Sequence, residues 1–115
     1  MNETIGGAKA EEIGALKSVN VGANSSENIG KDKSVSAGKK ISYTCGDDYS
    51  LKGGKKGVID IADELTIKVG KATILMKKDG TIAINGKDIS LDAKGEISIK
   101  AKKNVTIKGK KILAN

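Results

Sequence analysis

Across 115 residues the chain carries no His, Pro, Phe or Trp, two Tyr and one Cys. Without histidine it lacks the commonest general base and metal ligand, and the lone Cys45 forms neither an intrachain disulfide nor a thiolate metal cage. Basic residues outnumber acidic ones by 21 to 14, a net charge of +7, but the lysines are spread along the whole chain. That spread fits a solvated coat over exposed strands better than a patch for nucleic acid or an anionic membrane.

The first elements are octads. Gly6, Gly14, Gly22, Gly30, Gly38, Gly46 and Gly54 recur every eight residues, and Gly70 and Gly86 fall in the same register. The slot just before this position is apolar in Ile5, Ile13, Val21, Ile29, Ala37, Cys45, Ile61 and Val69. The spacing predicts a strand of about five residues per block, closed by a glycine corner at which positive φ costs little. A repeat this short closes no core within one unit, so each copy must stack on neighbours. Cys45 shares the apolar slot and is expected to be a buried small hydrophobe.

Two residues before the apolar slot stand Glu3, Glu11 and Glu27, interleaved with Val19 and Val35; further on the same class holds Leu51, Ile59, Ile67 and Leu75. If that class faces inward throughout, the early interior is polar, with ions or waters near Glu3, Glu11 and Glu27. The alternative turns this side of the early strands to solvent.

Between Asp47 and Gly57 the pattern loosens into DDYSLKGGKKG, a glycine- and lysine-rich corner or bulge. Beyond Val58 stronger apolar pairs return at 67/69, 74/76, 82/84, 89/91, 97/99 and 105/107. Most steps between pairs are eight, but 69 to 76 and 84 to 91 are seven. Losing one residue turns a strand's faces over, so irregular corners are expected near Gly70–Thr73 and Asn85–Asp88. Asp79-Gly80 and Asn85-Gly86 are also ordinary hairpin signals.

The alternation of apolar residues and the absence of helical spacing predict an all-β fold with β-structure nearly throughout. The expected core is Ile5, Ile13, Val21, Ile29, Cys45, Ile59, Ile61, Ile67, Val69, Leu91, Ile99 and Ile107. Residues 1–115 read as one domain: regular octads over 1–46, an irregular stretch over 47–57, and drier octads over 58–115. Met1 to Ala10 lacks the apolar core of a signal peptide, and no run approaches membrane-spanning length, so assembly in the cytoplasm is expected.

No constellation for catalysis emerges. Asp47-Asp48 and Asp63-Glu64 lack further ligands at calcium-loop spacing. Gly53-Gly54-Lys55-Lys56-Gly57 and Gly70-Lys71-Ala72-Thr73 miss the spacing of a phosphate loop, and no long helix follows either. The serines and threonines have no base partner.

NETIGG, then blocks ending in NVG, NIG and CG, then KKDGTIAINGKDISLDAKGEISIKAKKNVTIKGKKI closely resembles the C-terminal β-helix of VgrG-type spike proteins of the type VI secretion system. Those spikes are in turn similar to contractile-phage tail spikes. The resemblance covers nearly the whole chain and is most specific over Asn2–Gly46 and Lys77–Ser90. Ala8, Ala10, Ala15 and Ala23 depart from it, falling where the family often carries Asn, Arg or Thr.

The resemblance implies an intertwined homotrimeric triple-stranded β-helix, a triangular prism built from octapeptide repeats. It implies a structural needle, not an enzyme, without cofactor or nucleic-acid partner. After cytoplasmic assembly it would be ejected and cross a target membrane mechanically, with a PAAR-repeat cap and effector cargo at its tip. Ile112, Leu113, Ala114 and Asn115 would form that tip, either docking the cap or fraying.

Two other classes compete. A surface-binding or adhesive β-solenoid would use a lysine-rich face, but Thr66, Thr73, Thr81 and Thr106 form no clean rank for it. A basic nucleic-acid-binding domain would want aromatic stacking platforms, which are missing.

Overall fold

Alternating apolar residues around Gly70 and Gly80 fold into three antiparallel strands in the order β1-β2-β3: β1 (Glu64–Val69), β2 (Ala72–Lys77) and β3 (Ile82–Asn85). In this computed structural model, which describes residues 2–115, the fold is all-β, with no helix among the described residues. The chain divides into two units, Met1–Ser50 and Leu51–Asn115, and the division falls inside the irregular stretch.

The sheet's turns follow from its glycines. Gly70 has φ +57 and Lys71 has no positive φ, so the two-residue loop between β1 and β2 has the pattern of a type II′ turn, whose twist suits a hairpin. The second loop is Lys78-Asp79-Gly80, with Gly80 at φ +95. The Gly80 N–H donates to the Lys77 carbonyl at 3.0 Å, and the Lys77 N–H donates to the Thr81 carbonyl at 3.0 Å. That is a type I turn closed by a left-handed glycine, the common three-residue hairpin loop. Asn85-Gly86, by contrast, makes no hairpin; Asn85 ends β3 and the chain bends at Lys87-Asp88.

The register places Leu65 opposite Met76, Ile67 opposite Ile74 and Val69 opposite Ala72, then Ile74 opposite Ile84 and Met76 opposite Ile82. One face of the sheet is therefore aliphatic. Glu64, Thr66, Lys68, Thr73, Leu75, Lys77, Ala83 and Asn85 make the other.

Outside the sheet the backbone bends at a constant interval. Bends begin at Gly6, Gly14, Gly22, Gly30, Gly38, Gly46, Gly54 and Ala62; turns follow at Gly70 and Lys78. After Lys87, the same eight-residue register resumes with bends at Lys94, Lys102 and Lys110. The register of corners thus survives where glycine does not.

Two expectations are corrected here. Strand ladders do not run nearly throughout; they are confined to residues 64–85 among those described. Elsewhere the arms are joined by bends rather than by hairpin turns such as Gly70-Lys71, and neighbouring arms do not pair among the described residues. Nor do the octad glycines use positive φ, except Gly70; the other positive φ is at Gly80, outside the octad register. Lysine and alanine occupying equivalent corners show why: the bend itself does not demand a left-handed residue.

No described residue is buried, and only Leu65, Thr73, Leu75 and Ala83 are half-buried. The chain exposes 13211 Å². A folded monomer of this mass exposes about 6,000 Å². On its own, the chain does not shelter its aliphatic side chains from water.

Candidate functional site

The chemically organised surface is the inner side of the bends together with the aliphatic face of the sheet. In the slot before each bend, Ile5 and Ile29 are each 45% exposed, whereas Leu16 and Val58, elsewhere in their octads, stand at 82% and 87%. Ile13, Val21 and Ile61 in the same slot are 47% to 52% exposed, whereas Val69 stands at 77%. All the expected core residues, Ile5, Ile13, Val21, Ile29, Ile59, Ile61, Ile67, Val69, Leu91, Ile99 and Ile107, are exposed in the single chain. Cys45 is exposed as well in the single chain.

Three residues either side of a bend, side chains meet across it. Lys9 Nζ lies 3.0 Å from Glu3 Oε1, Lys17 Nζ lies 3.1 Å from Glu11 Oε2, and Lys33 Nζ lies 2.7 Å from Glu27 Oε2. Each pair is separated by six residues and centred on the bend glycine, Gly6, Gly14 or Gly30. The glutamates singled out by their spacing therefore have lysine partners. Those lysines, and the corner roles of Ala62, Lys78, Lys94, Lys102 and Lys110, escape a search for glycine. Counting by eights from Gly6 finds them.

In the second unit the aliphatic sheet face continues into its flanks. Ile59, Ile61, Leu65 and Met76 line one open hollow, and Ile67, Val69, Ile74, Ile84 and Ile89 line another. Ile74, at the centre of the sheet, is still 40% exposed. At one end of the sheet the Lys78 N–H donates to the Asp63 carbonyl at 2.9 Å, and Lys78 Nζ stands 3.6 Å from Asp63 Oδ1.

The turn glycines Gly6, Gly14, Gly22, Gly30, Gly38, Gly46 and Gly54 share a further property. A methyl group added at any of them would meet nothing within 4 Å in the chain. Neither positive φ nor crowding within the chain requires glycine at these corners.

The Thr81 N–H donates to Asp79 Oδ1 at 2.9 Å, and the Thr81 hydroxyl adds to it; together they hold the carboxyl below the usual carboxylate range. This is turn chemistry, not a catalytic centre. Among the described residues no three of His, Cys, Asp and Glu converge to hold a metal ion, and no helix is long and apolar enough to cross a membrane. Ile112 and Leu113 are exposed.

The arrangement offers arms without ladder partners among the described residues, exposed aliphatic side chains at recurring slots and three Glu–Lys couples. No protein-family model matches the chain, and no curated protein matches it.

Proposed function

We propose that this chain is the β-helical needle of a VgrG-type spike of a type VI secretion machine, in which three copies intertwine into a triangular prism. The observation that carries the proposal is the eight-residue recurrence of bends and turns, from Gly6 to Lys78 and again from Lys94 to Lys110, with an aliphatic slot left open before Gly6, Gly14, Gly22 and Gly30. A strand arm that has neither a ladder partner nor a covering layer in its own chain gains both from identical neighbours.

The corner glycines support the same reading. At Gly6 to Gly54, where local backbone and local contacts leave glycine unexplained, close approach by another backbone would account for the missing side chain, while the corners at Lys94, Lys102 and Lys110 would be more open. Needle mechanics then follow. A ladder shared among three chains spreads an axial load over many hydrogen bonds, and a lysine-coated outside keeps the assembly soluble. The resemblance extends the reading to a PAAR-repeat cap and effector cargo carried through a target membrane.

Sedimentation equilibrium tests the assembly. A mass of three chains that persists in detergent is expected, and a single-chain mass overturns the needle. Capture of a PAAR-repeat protein by the immobilised trimer tests the machine: binding is expected, and its absence removes the secretion role while leaving the assembly.

A further inference from the structure

An array with an eight-residue period has a problem that its glycines cannot solve. Every octad offers the same corner, so copies of the chain displaced by one octad present nearly the same ladder and the same bends. Repetitive strands specify register weakly unless something breaks the repetition. In Leu51–Asn115 the β1-β2-β3 sheet does so, because it occurs once. In Met1–Ser50 there is no such landmark, and this unit is joined to the next through the glycine- and lysine-rich stretch around Leu51–Gly57.

The inner positions three before and three after each bend supply a landmark. Taken in chain order they hold Glu3/Lys9, Glu11/Lys17, Val19/Ser25, Glu27/Lys33, Val35/Ile41 and Tyr43/Tyr49. Either both members are charged or neither is, and each charged couple is closed within its own chain at 2.7 to 3.1 Å. No octad leaves a lone glutamate or a lone lysine in these two positions. The order along the chain is charged, charged, uncharged (Val19/Ser25), charged, apolar, aromatic, which does not repeat.

We propose that the inner face of the octads from Glu3 to Tyr49 is a self-recognition surface for further copies of this chain, on which the Glu–Lys couples fix the axial register. The inference rests on the intertwined trimer proposed above. With the copies aligned, charged layers meet charged layers and apolar layers meet apolar ones. A slip of one octad sets the Glu11/Lys17 layer against Val19/Ser25, and the Glu27/Lys33 layer against an apolar layer on one side. Each such mismatch desolvates a charged couple against aliphatic carbon without adding a partner. The couples act as a polar residue at one core position does in a coiled coil: they discriminate between alignments more than they stabilise any one of them.

A permuted chain tests this. The variant V19E/S25K/E27V/K33S keeps the composition and moves one charged layer by a single octad. Because both variants have the mass of wild type, wild type is prepared with uniform nitrogen-15 labelling, then unfolded together with unlabelled variant in equal amounts, refolded and weighed by native mass spectrometry. Each is expected to form trimers of its own, with mixed trimers at least ~10-fold below the binomial proportion. A control swap, E27K/K33E, keeps the layer order and is expected to mix with wild type freely.

Free mixing of the permuted chain overturns the proposal and leaves the trimer standing. Failure of the permuted chain to assemble alone also overturns it, since the same layers in a new order must still recognise themselves. Exclusion of the control swap from wild-type trimers overturns it too, because layer order would then not be what is read. A wild type that remains a single chain overturns the trimer itself, and the inference with it.

Discussion

Ile67 lies directly opposite Ile74 across the Gly70–Lys71 turn, and this pairing moves the aliphatic face from odd-numbered to even-numbered residues. A two-residue antiparallel hairpin reflects the chain, so Leu65, Ile67 and Val69 share a face with Ala72, Ile74 and Met76. The three-residue loop at Lys78-Asp79-Gly80 preserves the parity, which keeps Ile82 and Ile84 on that face. Odd residues return to it only with Ile89 and Leu91, after a bend at Lys87 that comes one residue late in the eight-residue count. The two seven-residue steps in the apolar pattern are therefore the first hairpin turn of one small sheet and the exit from that sheet.

Ile67→Asp places a carboxylate in the middle of this aliphatic face, beside Leu65, Val69 and Ile74. In an intertwined trimer three such groups would meet without counter-charges. A loss of about 3 kcal/mol or more is expected, enough to abolish assembly. Sedimentation equilibrium reads it as a shift from three-chain to one-chain mass; an unchanged trimer would move this face to the outside.

The glycines separate two causes of sensitivity. Gly70→Ala forces alanine to φ +57 and is expected to cost about 1–2 kcal/mol whatever the state of association. Gly22→Ala meets neither positive φ nor a neighbour within 4 Å, so the single chain should tolerate it. Its melting temperature should fall only under conditions where the chain is assembled. Thermal melts over a hundredfold range of concentration check this, and a Gly22→Ala trimer as stable as wild type would remove the close backbone approach proposed at the corners.

The eight-residue period is legible in the glycines alone, and so is the hairpin signal at Asp79-Gly80. The sheet is less legible, because an apolar pair shifted by seven residues looks the same whether the cause is an irregular corner or an antiparallel reflection. Only the partner of Ile67 decides between them. Glycine identity also suggests a left-handed corner that the backbone does not adopt at Gly6 or Gly22. Glycine can be selected for φ or for space, and sequence does not distinguish the two. The Glu–Lys couples are visible in the sequence once positions three residues either side of each bend are compared, but a search of each residue class by itself separates Glu3 from Lys9.

Asp79 gives the second hairpin a pH dependence. Its carboxylate accepts the Thr81 N–H, so its folded pKa lies below its unfolded one. The contribution is fully present above the unfolded pKa and disappears as pH falls through the folded pKa. Carbon-detected NMR titration should show Asp79 protonating below the usual carboxylate range, with the Thr81 amide shift following it. Asp79→Asn keeps an acceptor for Thr81 and should remove that titration while preserving the turn; Asp79→Ala should loosen it. A Thr81 amide indifferent to pH would exclude the contact.

Glu27 and Lys33 form the shortest of the three couples, at 2.7 Å, with their side chains 61% and 50% exposed. In a dissociated chain such a pair is screened by water and should contribute no more than about 0.2–1 kcal/mol. Inside a closed assembly the same pair loses its solvent, and removing one partner leaves an uncompensated charge there. A double-mutant cycle with Glu27→Ala and Lys33→Ala therefore has a distinct signature. Either single variant should lower trimer stability more than the double variant does, by about 1 kcal/mol or more. The difference should persist at high salt, where an exposed pair would fade. If both singles match the double, or if salt erases the coupling, the pair sits in water even in the assembled state, and the octads turn this side outward.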